Sequence, residues 1–299
     1  MLTESRAEQI FSEAMHLANT GLAGEAATRL QSLIHDLAPL PALRAQRESA
    51  FKGLLRILFD QGRDARLSKV FRHYAAEYGE ISDPDFDNLY IAGLLATRTA
   101  PTPLRRRNRF LNLVRRFEST LPLAGLVAEC GCFQGLSSYI LCSRLKRQDP
   151  AFNGAGYRIF DSFQGLSAPQ PEDLRASDSD EAARIQPNIS AGKYAAALAR
   201  VQRSLAQFPG TAYFPGWIPD AFPRTDGDRY RFVHVDVDLY QPTRDSFEYF
   251  WPRLAPGGVM VCDDYNWPGA KQAVDEFCAR HSLQCEITPT LQACIVRRA

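Results

Sequence analysis

Apolar residues in the first hundred positions recur at every third or fourth residue, which is the spacing of an amphipathic helix. The first two runs comprise Ile10, Phe11, Ala14, Met15 and Ala18, then Ala27, Leu30, Leu33, Ile34 and Leu37. Glycines separate the two runs, and Gln61-Gly62 separates a second pair, so the pattern predicts two helical hairpins. They look loosely tetratricopeptide-like, although the glycine spacing does not match that repeat. With a fifth helix over 84–99 and prolines at 101 and 103, we predict a helical domain over residues 1–100.

After residue 100 the pattern changes to short apolar runs that are typical of buried strands. These runs cover residues 126–129, 158–160, 212–214, 232–236, 259–262, 285–288 and 293–297. Helical stretches separate the first five runs, which predicts βαβ units and a parallel sheet. The connection between the last two is too short for a crossover, so they should form an antiparallel hairpin. We therefore predict an α/β domain over residues 101–299 whose seven-stranded, mostly parallel sheet resembles the class I methyltransferase variant of the Rossmann fold.

Composition and charge narrow the class of partner. Hydrophobic residues make up 45% of the chain and the net charge is +1, so no global field favours nucleic acid or an anionic membrane. No stretch of about 18 apolar residues is present, and the acidic start is unlike a signal peptide. The seven cysteines form no CxxC pair and predict buried thiols in a reducing cytoplasm. For the basic run Arg105–Arg116, a solvated helix face or an interface with acidic residues is favoured over nucleic-acid binding.

The first predicted strand ends in a glycine-containing turn, Glu129-Cys130-Gly131-Cys132-Phe133-Gln134-Gly135, followed by a helix. Its E-x-G-x-x-x-G pattern differs from the G-x-G-x-x-G of dinucleotide enzymes, whose extra glycine and helix N-terminus suit a pyrophosphate. S-adenosylmethionine (SAM) has no phosphate and a zwitterionic end that a carboxylate such as Glu129 can suit. Asp161 ends the second strand, where an acidic residue accepts hydrogen bonds from ribose hydroxyls. A plain tight turn, and a helix cap at Asp161, are the alternatives.

The fourth and fifth strands end in carboxylates, at Asp236 and Asp238 and at Asp263 and Asp264. Adjacent parallel strands deliver their C-terminal ends to one edge, so Asp236, Asp263 and Asp264 should converge. Their mutual repulsion favours a neutralising cation, and oxygen ligands without a nearby His/Cys set indicate Mg²⁺ or a similar ion. The alternative is that these residues cap the next helix and pair with arginines. By strand alternation Asp238 points to the other face unless the chain has already turned, so it ranks below Asp236 as ligand or base.

From about residue 101 to the C-terminus the sequence resembles the macrocin/mycinamicin O-methyltransferase family. The shared stretches are the turn Glu129–Gly135, the segments 161–166, 216–220 and 236–240, and Pro256-Gly257-Gly258 leading into Asp263-Asp264-Tyr265. The resemblance implies binding of SAM and Mg²⁺ and methylation of a sugar hydroxyl. It also implies metal carboxylates at Asp236, Asp263 and Asp264, a base at Asp236, with Asp238 as second candidate, and cofactor contacts from Glu129, Gly131, Gly135, Asp161, Ser162 and Asp236. The sequence departs from the family at Cys132-Phe133-Gln134 and in its helical first hundred residues.

Several alternatives stay open. The acceptor is expected to be a sugar-type hydroxyl of a small molecule, with a phenol or catechol, or an amino or peptide group, as alternatives. An NAD-dependent oxidoreductase would leave the carboxylates unexplained, and a non-catalytic binding module would leave the cofactor residues unexplained. The polar segment Ser167–Gly192 is predicted to be a lid, or else an insert without a role. The helical domain exposes apolar stripes, so we expect it to dock on the catalytic domain or to support a homodimer.

Overall fold

The computed structural model describes residues 2–79, 81–101, 104–174, 189–225 and 227–298. The chain divides into two compact units, Met1–Asn108 and Arg109–Ala299. The division falls inside one helix, a few residues after the boundary that the prolines predict. Of the segment predicted to be a lid, residues 175–188 lie outside the described residues.

The first unit is built from helices, as predicted. They are α1 Glu4–Asn19, α2 Ala23–Leu37, α3 Arg44–Asp60, α4 Asp64–Tyr78 and α5 Pro84–Thr97, followed by α6 Leu104–Glu118, which continues into the second unit. Close packing of α3 against the first hairpin depends on Gly53, since a Cβ there would lie 3.0 Å from the Phe11 ring and 3.2 Å from Leu30. The start of α5 has Pro84 in its first turn and a side-chain cap, in which the backbone N–H of Phe86 donates to Asp83 Oδ1 at 3.0 Å.

One arginine of the basic run, Arg107, is buried in the same unit. Arg107 is 1% exposed and its Nε donates to Asp87 Oδ1 at 2.7 Å. Its Nη1 also donates to the backbone oxygen of Ile81 at 2.9 Å. This arginine therefore belongs to an internal ion pair, which is the interface with acidic residues that the sequence offered as one interpretation.

The second unit is built on a seven-stranded sheet. Its strands are β1 Leu126–Cys130, β2 Tyr157–Asp161, β3 Ala212–Pro215, β4 Tyr230–Val235, β5 Leu254–Cys262, β6 Glu286–Ile287 and β7 Ala293–Val296. The strand order is β3-β2-β1-β4-β5-β7-β6. Neighbours among the first five pair in parallel, while β7 is antiparallel to both β5 and β6. The predicted fold class, a mostly parallel sheet ending in an antiparallel hairpin, is confirmed.

Helices alternate with the strands and cover the sheet. They are α7 Leu136–Gln148, α8 Leu198–Ser204, α9 Tyr240–Phe250 and α10 Pro268–His281. An aromatic cluster fills part of the core, with the Phe160 ring stacked 4.8 Å from Phe214 and the Phe222 and Phe250 rings against it. Five of the seven cysteines are buried and all seven are free thiols. Within the described ranges, every helix is too short or too polar to cross a membrane.

Candidate active site

The exits of β1, β4 and β5 lie side by side because the sheet hydrogen bonding continues one residue past each strand. The N–H of Asp236 donates to the carbonyl of Cys130 at 2.8 Å, and the N–H of Asp263 donates to the carbonyl of Val235 at 2.8 Å. The first residue after β4 and the first after β5 therefore sit at the same level of the sheet. This register is what brings the two predicted carboxylates together.

Gly131 makes room for that arrangement. It has φ +78°, and a Cβ at this position would lie only 1.9 Å from the carbonyl oxygen of Asp236. The N–H of Gly131 donates to the carbonyl oxygen of Phe160 at 2.9 Å, so the turn is held between β2 and β4. Gly135, with φ +89°, is the N-cap residue of α7. The predicted glycines thus hold the turn open along the edge where the carboxylates converge.

His234 is the residue of this edge that the sequence did not assign. Its Nδ1 lies 3.0 Å from Glu129 Oε1, and its Nε2 lies 3.7 Å from Asp263 Oδ1. Among the described residues, this buried Nε2 has no hydrogen-bond partner. One ligand atom each from His234, Asp236 and Asp263 falls within 4.8 Å of the others. The donor set therefore includes an imidazole nitrogen, whereas the sequence argument for Mg²⁺ assumed oxygen donors without a nearby histidine. An imidazole binds a cation only in its neutral form, so His234 could join the ligands only after it loses its proton.

Two side chains from distant parts of the chain donate hydrogen bonds to Asp263. Gln292 Nε2 donates to its Oδ1 at 2.6 Å. Arg109 Nη2 donates both to its Oδ2 and to its backbone oxygen. The Gln292 amide is held in turn by the hydroxyl of Thr290, which donates to its Oε1 at 3.0 Å. The carboxylate of Asp263 is consequently oriented before any ligand binds.

Asp264 and Asp238 are joined by a hydrogen bond beside it. The N–H of Asp238 donates to Asp264 Oδ2 at 2.9 Å, and Asp264 Oδ1 lies 3.6 Å from Arg109 Nη2. Asp238 has φ +60°, and β4 ends at Val235, so the chain has already turned when it reaches this residue. Strand alternation therefore does not direct Asp238 away from the site. The ranking of Asp236 above Asp238 as base stays a prediction.

Burial and crowding set the protonation of these carboxylates. Burial, followed by the charge of Asp263, raises the pKa of Asp236 to about 8. Burial and a neighbouring carboxylate also raise the pKa values of Asp238 and Asp264 well above their usual range. Burial acts the same way on Asp263, but the guanidinium of Arg109 outweighs it and holds the pKa of Asp263 below its usual value. Several of these groups would thus release protons when a divalent cation enters.

The predicted cofactor residue Glu129 has a different set of partners from the one expected. It is fully buried, with Ser138 Oγ and the Tyr157 hydroxyl (2.9 Å) donating to its Oε2 and the His234 ring on its Oε1. Burial lowers the pKa of His234, but the nearby carboxylates of Asp263 and Glu129 outweigh that and raise it to about 10. In this structure Glu129 is the counterion of His234, and its carboxylate has no surface open to a ligand.

Asp161 links the loop that follows β1 to the loop that follows β2. Its Oδ2 accepts the N–H of Cys132 at 2.8 Å and its Oδ1 accepts the N–H of Phe163 at 2.6 Å. Ser162 shapes the next turn, because its hydroxyl donates to Gly165 O at 3.0 Å and accepts from the backbone of Gln164 at 3.1 Å. Asp161 thus borders the glycine turn, as a ribose-binding residue should, while the hydroxyl of Ser162 is engaged locally.

The two ends of the predicted lid meet at its base. The N–H of Leu166 donates to Lys193 O at 2.8 Å, and the N–H of Gly192 donates back to Leu166 O at 2.9 Å. Asp173, which is 2% exposed, accepts the N–H of Tyr240 at 2.7 Å and so caps α9. The base of the segment is therefore anchored to the helix that follows Asp238.

The residues that the sequence missed gave different signals. His234 lies in β4, two positions before Asp236. Its apolar neighbours in the strand gave no sign of a functional residue. Arg109 was counted in the basic run. Gln292 lies in the turn of the last hairpin, where nothing local marks a functional residue.

Comparison with known proteins gives the family. Residues 104–298 match the family described as macrocin O-methyltransferase (TylF). The chain is 30% identical over 189 residues to mycinamicin III 3''-O-methyltransferase of Micromonospora griseorubida, covering 60% of this chain and 71% of that protein. It is 28% identical over 169 residues to the 8-demethyl-8-(2,3-dimethoxy-alpha-L-rhamnosyl)-tetracenomycin-C 4'-O-methyltransferase of Streptomyces olivaceus, covering 55% of this chain and 62% of that protein.

The fold is also found in a solved structure. The O-methyltransferase NovP superposes with a TM-score of 0.56 at 21% sequence identity, covering 72% of this chain and 99% of NovP. At that identity the likeness shows the fold alone. Since the family match covers about two thirds of the chain, including every strand and all the carboxylates of the site, the chain belongs to the macrocin O-methyltransferase family.

Proposed function

We propose that this protein transfers the methyl group of SAM to a hydroxyl on a sugar unit of a small natural product, with a divalent cation such as Mg²⁺ bound at the carboxylates. The observation that carries the proposal is the convergence of Asp236, Asp263 and the ring of His234 beside the glycine turn. The sugar acceptor is supported by the tetracenomycin relative, whose name describes O-methylation of a rhamnosyl compound.

The cofactor would lie along the turn after β1. The backbone around Gly131 offers a close approach, and Asp161 borders it. Each oxygen of Asp161 accepts one backbone N–H, and a carboxylate oxygen has a second lone pair for a ribose hydroxyl. We expect Asp161→Ala to weaken SAM binding by about 1–3 kcal/mol. Calorimetric titration of the variant tests this, and unchanged affinity would remove Asp161 from the cofactor site.

The cation would be held by the carboxylates of Asp236, Asp263 and Asp264. Of these, Asp236 and Asp263 lie close together with the ring of His234. The buried His234 Nε2, without a partner among the described residues, supports a group that completes this edge. A divalent ion supplies Lewis acidity, which lowers the pKa of an acceptor hydroxyl. The protein's own contribution is to orient the carboxylates, through Gln292 on Asp263 and the Asp238 backbone on Asp264.

Proton removal from the acceptor falls to a carboxylate of the same edge. Asp236 is our first candidate, because it leads directly from β4 into the site, and Asp238 is the second. The turn at Asp238 keeps both within one short loop. Holding acceptor and methyl donor in register would supply much of the rate acceleration, up to about 7–11 kcal/mol for an ideal fit.

The decisive experiment measures methyl transfer from labelled SAM to a panel of glycosides, phenols and amines, with and without EDTA. We expect transfer to a sugar hydroxyl, loss of turnover in EDTA and recovery with Mg²⁺. Asp263→Asn should lose most activity while it still binds SAM. Full turnover in excess EDTA would refute the metal and leave Asp236 as a metal-free base. Binding of NAD instead of SAM, or of neither, would favour an oxidoreductase or a non-catalytic module.

We also propose that the helices of residues 1–100 support a homodimer or gate the substrate. The apolar stripes expected to be exposed are in fact covered, since Leu30, Leu33 and Leu58 are at most 2% exposed. The proposal therefore rests on the position of these helices outside the family match, which begins at residue 104. Light scattering and activity measurements on the full chain and on a chain that starts at Thr102 test both roles. A shortened chain with full activity and unchanged association state would exclude them.

A further inference from the structure

Two carboxylates at the sheet edge, those of Asp263 and Asp264, already lie beside a positively charged side chain of the protein. Arg109, in α6, donates from one nitrogen, Nη2, to both Oδ2 and the backbone oxygen of Asp263. The same nitrogen lies 3.6 Å from Asp264 Oδ1. The guanidinium therefore sits on two of the three carboxylates expected to hold the metal.

This ion pair differs from the surface pairs elsewhere on the chain. The Arg109 side chain is 19% exposed, and those of Asp263 and Asp264 are 17% and 4% exposed. Surface pairs are weakened by water and salt, whereas a pair this shielded has a strong interaction and a large cost when one partner is removed. Arg109 is thus a fixed part of the electrostatics of the site.

The oxygens of Asp263 are both engaged. Gln292 occupies Oδ1 and Arg109 occupies Oδ2, so a metal ion that binds Asp263 must approach an oxygen that already has a donor. The buried Nε2 of His234 lies 3.7 Å from the same Oδ1 and has no hydrogen-bond partner among the described residues. That nitrogen is an independent sign that the cluster is incomplete without a further group.

We propose that Arg109 is the built-in counter-cation of this site, and that a divalent ion binds by displacing its guanidinium from Asp263. The inference rests on the proposed function in so far as that function includes a metal. When no metal is bound, Arg109 keeps the crowded carboxylates from repelling one another. When a doubly charged ion arrives, the singly charged guanidinium a few ångströms away opposes it, because like charges in a shielded site repel strongly.

The test compares Arg109→Gln with Arg116→Gln in the full-length protein. Arg116 is the matched control, since it lies on the same helix and pairs with Glu286 in a more exposed position. Two quantities are measured: the affinity for Mn²⁺ alone, by calorimetry, and the unfolding temperature in EDTA. Arg109→Lys is added because it retains the charge.

We expect Arg109→Gln to bind Mn²⁺ at least about 10-fold more tightly than the wild type, because the competing charge is gone. Its unfolding temperature in EDTA should fall, and Mn²⁺ should raise it by more than in the wild type. Arg109→Lys should lie close to the wild type in Mn²⁺ affinity, and Arg116→Gln should match it in both measurements. Equal or weaker Mn²⁺ affinity in Arg109→Gln overturns the inference and leaves Arg109 as a scaffold for Asp263.

If Arg109→Gln does not fold, a crystal structure of the wild type with Mn²⁺ decides the question. A guanidinium moved away from Asp263 supports displacement. A guanidinium still on Oδ2 with Mn²⁺ bound to Asp263, or no Mn²⁺ at the site, overturns it. A SAM titration on the same samples shows separately whether the methyltransferase proposal stands, because SAM binding does not depend on Arg109 leaving Asp263.

Discussion

Glu129 Oε1 and His234 Nδ1 lie 3.0 Å apart in the interior of the sheet, at paired positions of β1 and β4. Both side chains are fully shielded from water. A buried charge is tolerated only with a partner, so each of these residues explains the presence of the other. Through the second ring nitrogen, this pair faces Asp263, and it thereby links the core of the sheet to the carboxylate edge.

We therefore expect Glu129→Gln to destabilise the fold. Removing one member of a buried ion pair leaves the other without compensation, at a cost of about 3–5 kcal/mol. Urea denaturation at pH 7 measures the effect, with Tyr157→Phe as the control because it removes only one hydroxyl donor to Glu129. A loss no larger than that of the control would mean that His234 is neutral in the folded protein.

The same pair predicts a pH dependence of stability in the metal-free protein. His234 has its pKa raised to about 10 from an unfolded value near 6.5, so its contribution is complete below about pH 6.5 and is lost as the pH rises towards 10. Asp236, with its pKa raised to about 8, acts in the same direction at lower pH. Urea denaturation in EDTA between pH 6 and 10 should show falling stability. His234→Gln should flatten the upper part of that curve, and an unchanged slope would contradict the assignment.

Much of the fold and part of the site could be predicted from local sequence. The strands, the glycine turn and the acidic strand ends are marked by residues within a few positions of one another. Parallel neighbours then bring Asp236 and Asp263 to one edge as a consequence of topology. The structure adds the register, in which the backbone N–H groups of Asp236 and Asp263 donate to carbonyl oxygens of the neighbouring strands.

The remaining parts of the site depend on long-range contacts that no local pattern records. Arg109 and Asp263 are 154 positions apart, and Asp263 and Gln292 are brought together only when β7 pairs with β5. The position of Asp238 does not follow from local sequence for a different reason. Strand alternation holds only while the strand continues, and β4 ends at Val235. The left-handed backbone at Asp238 then redirects its side chain.

Gly131 should not tolerate a side chain. In Gly131→Ala the new Cβ would overlap the carbonyl of Asp236, so either β4 or the turn must move. We expect lower stability together with weaker SAM binding. Gly192→Ala is the matched control, because Gly192 also has a positive φ (+80°) but open space around its Cβ, and strain alone should cost about 1–2 kcal/mol. Equal losses in both variants would show that the close approach to Asp236 is unimportant.

Asp173 should connect the predicted lid to catalysis through the start of α9. Its Oδ1 accepts the N–H of Tyr240, and Leu239, at the N-cap position of that helix, supplies no side-chain cap. We expect Asp173→Ala to cost about 0.5–2 kcal/mol of stability, the usual effect of losing a helix cap. Because α9 directly follows Asp236 and Asp238, the variant should also raise the KM for the acceptor more than it lowers SAM affinity.

Urea denaturation, acceptor titrations and SAM calorimetry measure these three quantities for Asp173→Ala. Glu172→Ala is the control, because it removes a carboxylate from the same short 3-10 turn and leaves the bond from the N–H of Tyr240 to Asp173 in place. If Asp173→Ala matches Glu172→Ala in stability, the bond to Tyr240 contributes nothing. If stability falls while the KM for the acceptor stays unchanged, the cap is purely structural and the segment does not act on the acceptor site.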